Sequence, residues 1–267
     1  MAGINKPIVG VAAAVIVIAA STIYYFRTRH AQVTEPAAPV AAQAPAADAE
    51  PGIQHPVPAA ADSAAAATPL PELKDSDAPL RDALAQLVGV EAVGSYLRPE
   101  ELIRNMVVTI DNLPRQKVAV QKRPTTPVAG TFEVNGDEVH ATLDSQNYER
   151  YKPLVALIAK LDMQKLAQVY FHFYPLFQQS YQNLGYPNGY FNDRLVQVID
   201  VLLATPQPTT PIELVRPNVM YTFADPTLEA RPAGQKLLMR MGPENAAALK
   251  AKLTELRAIV TAAPPKK

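Results

Sequence analysis

The chain has 267 residues, its 25 lysine and arginine residues are balanced by 25 aspartate and glutamate residues, and it contains no cysteine. The absence of cysteine excludes disulfides, thiolate catalysis and every metal site that needs a thiolate ligand. Because the charges balance, no large field of one sign is available to attract nucleic acid, and we expect no nucleic-acid partner.

An apolar stretch without charged residues runs from Ile8 to Phe26. At about 1.5 Å per residue it is long enough to cross most of a hydrocarbon layer of about 30 Å. We therefore predict an N-terminal tail over residues 1–7 and a transmembrane helix over residues 8–26. A buried core helix and a cleaved signal peptide are the alternatives. A cleaved signal peptide is disfavoured because the apolar run ends in Tyr-Tyr-Phe-Arg rather than in small residues.

The charges beside this stretch do not fix its orientation, since Lys6 and the α-amino group on one side match Arg27 and Arg29 on the other. A short leading tail and a long trailing domain are typical of a signal anchor. We therefore expect a single-pass protein of a bacterial inner membrane, with its C-terminal domain in the periplasm.

Residues 27–71 are predicted to form a disordered linker. From Ala31 to Pro71, 16 of 41 residues are alanine and eight are proline. Such a segment buries too little apolar surface to offset the entropy of ordering. Its prolines favour an extended spacer, and we expect His55 within it to be solvated.

Residues 72–263 are predicted to form a soluble domain that is mostly α (α+β), with a small β-hairpin and short strands. Apolar residues at helical spacing predict six principal helices. These helices carry Leu80–Val88, Leu102–Ile110, Tyr151–Leu161, Leu166–Leu184, Arg194–Leu203 and Leu249–Val260. Asp77, Asp162 and Asn192 are the expected N-caps. The aromatic stripe from Tyr170 to Tyr181 is expected to be core, with a kink at Pro175.

A β-hairpin is predicted where residues 131–134 and 138–142 flank Asn135-Gly136-Asp137. Two further strand-like runs, at residues 212–215 and 219–223, either add to this hairpin or pack alone. The helix after the turn at Gly185 is apolar on nearly every side except for a narrow polar strip. That pattern is typical of a central helix.

The turn from Leu184 to Arg194 brings glycine, tyrosine, asparagine, aspartate and arginine together. We expect Asp193 and Arg194 to pair with other elements or to line a small pocket. The candidate binding residues are Tyr186, Tyr190, Asn192, Asp193 and Arg194, together with Arg98 and Asp111.

No pattern in the sequence predicts a catalytic residue, a cofactor or a metal site. Glu100 and Glu101 are adjacent on a helix and diverge by about 100°, so they do not face each other. His172 has no second metal ligand three or four residues away. The basic loop from Arg115 to Arg123 is compatible with anion binding and with solvated charge, and both interpretations stay open.

Several motifs resemble a bacterial family of single-pass envelope proteins catalogued as a domain of unknown function. They are Tyr96–Glu101, Val108–Arg115, Leu184–Pro187, Gly189–Arg194 and Ile212–Pro217. The resemblance covers residues from about 70 to about 260. It implies a membrane-anchored, periplasmic protein, and the family carries no known activity or catalytic residues that could be transferred to this chain.

Two functions are compatible with these patterns. The first is a membrane-tethered envelope binding or scaffold module, whose partner is an envelope protein or a cell-wall component. The alternative is a periplasmic hydrolase acting on cell-wall or glycan material, with Asp111, Asp193 or Glu101 as acid or base. The hydrolase requires two carboxyl groups about 5 to 9.5 Å apart in a cleft.

Overall fold

The computed structural model describes residues 52–58, 69–137 and 140–262. The predicted tail, the predicted transmembrane helix and most of the predicted linker lie outside these residues. None of the helices in the described ranges combines the length and the apolar character that a membrane crossing requires.

The described residues form ten α-helices and a small sheet of four short strands, which confirms the prediction of a mostly helical fold with a minor β component. The helices are α1 (Asp77–Val88), α2 (Val90–Tyr96), α3 (Leu102–Asn112), α4 (Gln146–Glu149), α5 (Lys152–Ala159), α6 (Met163–Asn183), α7 (Phe191–Leu203), α8 (Pro226–Glu229), α9 (Ala233–Arg240) and α10 (Pro243–Val260). The strands are β1 (Val134–Asn135), β2 (Ala141–Leu143), β3 (Glu213–Val215) and β4 (Thr222–Phe223).

The sheet is antiparallel in the order β1-β2-β3-β4. The predicted hairpin is present, with Val134 opposite Leu143 and with Gly136 at φ 92°, a conformation that favours glycine at the turn. The two later strands add to this hairpin instead of packing alone. Leu214 lies opposite both Ala141 and Phe223. Apolar side chains on the inward face of the sheet form a small cluster that is separate from the helical core.

Helix α7 is a central helix of the core, as the sequence predicts, because it contacts α3, α6, α9 and α10. Phe191, Ile199 and Leu202 on this helix are completely buried. Helix α9 approaches closely at Gly234, where a Cβ atom would lie 2.5 Å from Cδ2 of Leu202. Close packing therefore holds α7 in the core from Phe191 at its start to Leu202 near its end.

Helix α6 confirms two predictions. The carboxylate of Asp162 caps it by accepting hydrogen bonds from the backbone N–H groups of Gln164 and Lys165. The aromatic stripe is core, since Phe173, Tyr174, Phe177 and Tyr181 are all buried. Pro175 lies inside the helix, on its exposed side.

The two other predicted caps are wrong. Asp77 does not cap α1; its carboxylate instead accepts hydrogen bonds from the N–H groups of Glu101 and Leu102, at 2.7 and 2.8 Å. Asn192 does not cap α7, which begins one residue earlier, and the N–H of Phe191 donates to Oε1 of Gln178 at 2.8 Å. In both cases the acceptor at the start of one helix comes from a different helix. Asp77 of α1 supplies it for α3, and Gln178 of α6 supplies it for α7. Local sequence rules do not detect such contacts.

Candidate functional site

A buried carboxylate joins three elements beside the first turn of α7. Asp111, near the end of α3, is 2% exposed, and its carboxylate accepts three hydrogen bonds. The donors are Nη2 of Arg115 at 2.7 Å, Nε of Arg194 at 3.0 Å and the hydroxyl of Tyr186 at 3.3 Å. We call these four residues the Asp111 clamp. Nη2 of Arg194 also donates to the backbone carbonyl of Asp111 at 2.8 Å.

The elements that carry the clamp explain its geometry. Arg115 lies four residues after Asp111, in the turn beyond the end of α3, and this turn brings its guanidinium group back to the carboxylate. Arg194 lies in the first turn of α7, and Tyr186 lies in the turn between α6 and α7. The clamp therefore ties α3 to both the start of α7 and the turn that precedes it.

The turn between α6 and α7 is closely packed. Gly185 ends α6 at φ 114°, as the sequence predicts. The rings of Tyr181 and Tyr186 stack with centroids 4.6 Å apart. A Cβ atom at Gly189 would lie 2.7 Å from Cε1 of Tyr181, so only glycine fits against this pair. Burial raises the pKa of Tyr181 to about 12, because a phenolate would lose its hydration in this packed turn.

Residues 52–58, here called the N-terminal segment, lie against the same end of α7. The carboxylate of Asp193 accepts hydrogen bonds from the N–H groups of Gln54 at 3.1 Å and His55 at 2.7 Å. The hydroxyl of Tyr190 accepts one from the N–H of Val57 at 2.9 Å. These contacts hold the backbone of Gln54, His55 and Val57 against α7 and its N-cap, so the predicted spacer is not free at these three residues.

Asn192 is completely buried and joins four parts of the chain. Its side-chain amide on α7 donates to the carbonyls of His55 in the N-terminal segment, at 2.8 Å, and of Val260 at the end of α10, at 2.9 Å. Its side-chain oxygen accepts a hydrogen bond from the hydroxyl of Tyr170 on α6. Burial raises the pKa of Tyr170 well above its ordinary value, because it disfavours the charged phenolate.

A cleft of about 540 Å³ opens between the Asp111 clamp and the N-terminal segment. We call it the α7 cleft. Its lining includes Ile53, Gln54, Asp111, Tyr181, Tyr186, Asn188, Gly189, Tyr190, Asp193, Arg194 and Gln197. Aromatic rings form part of its wall, and carboxylate and guanidinium groups fixed by hydrogen bonds stand beside them.

Six of the seven predicted binding residues come together at this end of α7. Arg98 does not; it lies beyond α2, where its Nη1 donates to the carbonyl of Gln121 at 3.0 Å. Sequence reasoning placed Arg115 only in a basic loop, and helical spacing could not identify it as a partner of Asp111, because α3 ends at Asn112 and Arg115 lies in the turn after it. It also missed Gln178, whose contacts with the turn depend on tertiary packing.

The carboxylates named for the hydrolase alternative are all engaged. Asp111 is held by two arginines and a phenol, and Asp193 by two backbone N–H groups. Hydrogen bonds from Lys122 and Arg104 lower the pKa of Glu101, whereas a general acid needs a raised one. Within the described ranges, no cluster of three or more histidine, cysteine, aspartate or glutamate residues could hold a metal ion.

A family model described as Protein of unknown function (DUF3014) matches residues 102–257. The matched range begins at the first residue of α3 and ends inside α10. It includes every residue of the Asp111 clamp and does not include the N-terminal segment. No curated protein and no solved structure matches the chain.

Proposed function

The chain belongs to the DUF3014 family, whose description names no activity, and we propose from the geometry of the α7 cleft that the protein is a binding module. The module holds a partner in the cleft and carries out no chemistry on it. Its predicted transmembrane helix, residues 8–26, tethers it to a bacterial inner membrane and leaves the helical domain in the periplasm. The partner is an envelope protein or a cell-wall component.

The observation that carries this proposal is the Asp111 clamp. Three donors hold one buried carboxylate, so the side chains of Arg194 and Tyr186 are fixed before any partner arrives. A site whose polar groups are already positioned loses little side-chain entropy on binding. Aromatic walls with a few fixed polar groups are typical of binding clefts.

The same contacts argue against the hydrolase alternative. A glycosidase needs one carboxylic acid that can give up a proton and a second carboxylate that is free to act as base or nucleophile. The carboxylates at the cleft, Asp111 and Asp193, are instead occupied by cationic or backbone donors. The geometry therefore supports binding without catalysis.

Site-specific photo-cross-linking in the native host tests this proposal. A benzophenone side chain replaces Asn188 at the rim of the cleft, and a matched chain carries it at Val219, which is 65% exposed and lies outside the cleft. We expect discrete adducts from position 188 that position 219 does not give. In the position-188 chain, Tyr186→Ala should reduce the adduct severalfold while far-UV circular dichroism stays unchanged. Identical adducts from both positions, or none from position 188, would refute the cleft as a binding site.

A further inference from the structure

The N-terminal segment forms one wall of the α7 cleft, where Ile53 and Gln54 line it, and its contacts with α7 point to the kind of partner that binds beside the cleft. We propose that Tyr190, Asn192 and Asp193 form a receptor for a non-helical, proline-containing polypeptide, and that residues 52–58 occupy this receptor in cis until a partner segment displaces them. This inference rests on the proposed binding function and names its ligand class.

The hydrogen bonds between the segment and the domain use main-chain atoms of the segment. From Gln54 to Pro58 only three residues have a backbone N–H, because the other two are prolines. Asp193 accepts the first two N–H groups and Tyr190 accepts the third. Asn192 donates to the carbonyl of His55. Every backbone donor in this stretch therefore has an acceptor on α7 or at its N-cap.

One carboxylate can take two consecutive N–H groups only if the chain bends there. In a regular strand, successive residues face opposite sides. The segment bends at Gln54 and His55, which turns both N–H groups towards Asp193. Asp193 lies in the first turn of α7, where the helix dipole favours a negative charge. A ligand of this site must therefore make the same bend.

The prolines set the rest of the ligand pattern. His55 and Val57 each precede a proline, and a residue in that position is biased away from helix towards an extended conformation. Val57 is partly buried and packs on the helical core, whereas Gln54 is exposed. The pattern that fits is two residues with free N–H groups, a proline, an apolar residue and a second proline.

The segment is held at its backbone and not by deep burial, so it can be exchanged. Ile53, which borders the α7 cleft, is 59% exposed, and Gln54 is exposed beside it. Because the segment is covalently attached to the domain, its effective concentration is on the order of millimolar. A free peptide of the same kind should then bind weakly to the unmodified chain and well to a chain whose own segment is detached.

The test uses the full-length chain in mild detergent and a fluorescein-labelled synthetic peptide with the sequence of residues 52–58. In one detached variant, H55P combined with V57P removes two of the three N–H donors. In a second, seven glycine and serine residues replace 52–58, which guards against a local effect of the new prolines. Fluorescence anisotropy measures binding of the peptide to the unmodified chain and to both variants.

We expect the peptide to bind both detached variants at least tenfold more tightly than the unmodified chain. Adding Asp193→Ala to either variant should weaken binding at least tenfold. A control peptide with proline at the positions of His55 and Val57 should not bind. The inference is overturned if the peptide fails to bind the detached variants, if both peptides bind equally, or if Asp193→Ala has no effect. Equal binding to the unmodified chain would show that residues 52–58 do not occupy the site.

Three further outcomes separate this inference from exchange between two copies of the chain and from the proposed binding function. If the unmodified chain is dimeric and both detached variants are monomeric by sedimentation, the occupant is the segment of a second copy, and the proposed partner class is wrong. If position 188 gives specific photo-adducts while no peptide binds, the binding function stands and its ligand class fails. If the peptide binds while position 188 gives no adduct, the proposed envelope partner fails instead.

Discussion

The buried carboxylate of Asp111 accepts a hydrogen bond at 3.0 Å from Nε of Arg194, which lies 83 residues further along the chain. The Asp111 side chain is 2% exposed and that of Arg194 is 18% exposed, so the pair is largely removed from water. Removing one member of such a pair leaves the other charge buried without its partner, which is far more destabilising than loss of a surface ion pair.

Asp111→Ala is expected to lower the free energy of unfolding by about 3 kcal/mol. The expected loss lies at the low end of the range for buried pairs because Arg115, the second cation, is 53% exposed and can be rehydrated. Urea unfolding of the full-length chain in mild detergent, followed by far-UV circular dichroism, measures this loss. In a double-mutant cycle, Asp111→Ala and Arg194→Ala should show a coupling energy of at least about 1 kcal/mol between the two side chains.

The matched control for this prediction is Asp200→Ala. Asp200 also pairs with an arginine through two hydrogen bonds, but its side chain is 48% exposed and that of Arg257 is 39% exposed. Its loss should be clearly smaller because water screens the pair. Equal losses for Asp111→Ala and Asp200→Ala would contradict the assignment of Asp111 as a buried anchor.

Gly189→Ala is expected to destabilise the chain by about 1 to 3 kcal/mol, because the new Cβ atom would lie 2.7 Å from the ring of Tyr181 and 3.0 Å from Cβ of Tyr186. Gly94→Ala is the control. Gly94 is exposed inside α2 with open space around it, so alanine there should stabilise by about 0.5 to 1 kcal/mol. Thermal unfolding of both variants measures the difference, and two shifts of the same sign would count against the packed turn.

Asp77→Ala is expected to destabilise the chain by about 1 to 2 kcal/mol, since its carboxylate is the acceptor for two N–H groups at the start of α3. Asp82→Ala makes the same chemical change at an exposed position of α1 and should have little effect. Urea unfolding distinguishes the two variants. If Asp77→Ala lowers the free energy of unfolding no more than Asp82→Ala does, water replaces the Asp77 carboxylate as acceptor for these N–H groups without loss of stability.

Alkaline pH should weaken the fold through Tyr181. Its pKa rises from about 10 in the unfolded chain to about 12 in the folded protein, because burial disfavours the phenolate. The contribution of Tyr181 is therefore fully present below about pH 10 and is lost as the pH rises towards about 12. Tyr181→Phe, which cannot ionise, should leave stability at pH 7 nearly unchanged and should make the decline above pH 10 less steep.

Unfolding free energies at pH 7 and at several values between pH 10 and 12 measure this prediction. Absorbance near 295 nm reports phenolate formation in the same samples. An equally steep decline in the unmodified chain and in Tyr181→Phe would show that this phenol does not contribute to the pH dependence.

Sequence patterns predict those parts of the fold that depend on residues close together in the chain. The cap at Asp162 involves residues two and three positions away, and the hairpin turn at Gly136 is fixed by its own neighbours. Helical periodicity likewise identified the buried face of α10. These features are local, so propensity and spacing are sufficient to find them.

The parts that sequence reasoning missed depend on contacts between distant residues. Asp77 caps a helix that begins 25 residues later, and Gln178 supplies the acceptor for α7 from the helix packed against it. The composition of residues 52–58 predicts a free linker, because it shows that the segment cannot build its own core. It does not show that Asp193 and Tyr190 offer acceptors for its backbone.

The placement of the N-terminal segment also determines how the protein bears mechanical load. A pull on the chain from any point before Gly52 reaches the domain first through the hydrogen bonds to Asp193, Tyr190 and Asn192, and only afterwards through Pro69 and α1. While these bonds hold, the load therefore enters the domain at the start of α7, and once they break it enters at Pro69 and α1 instead.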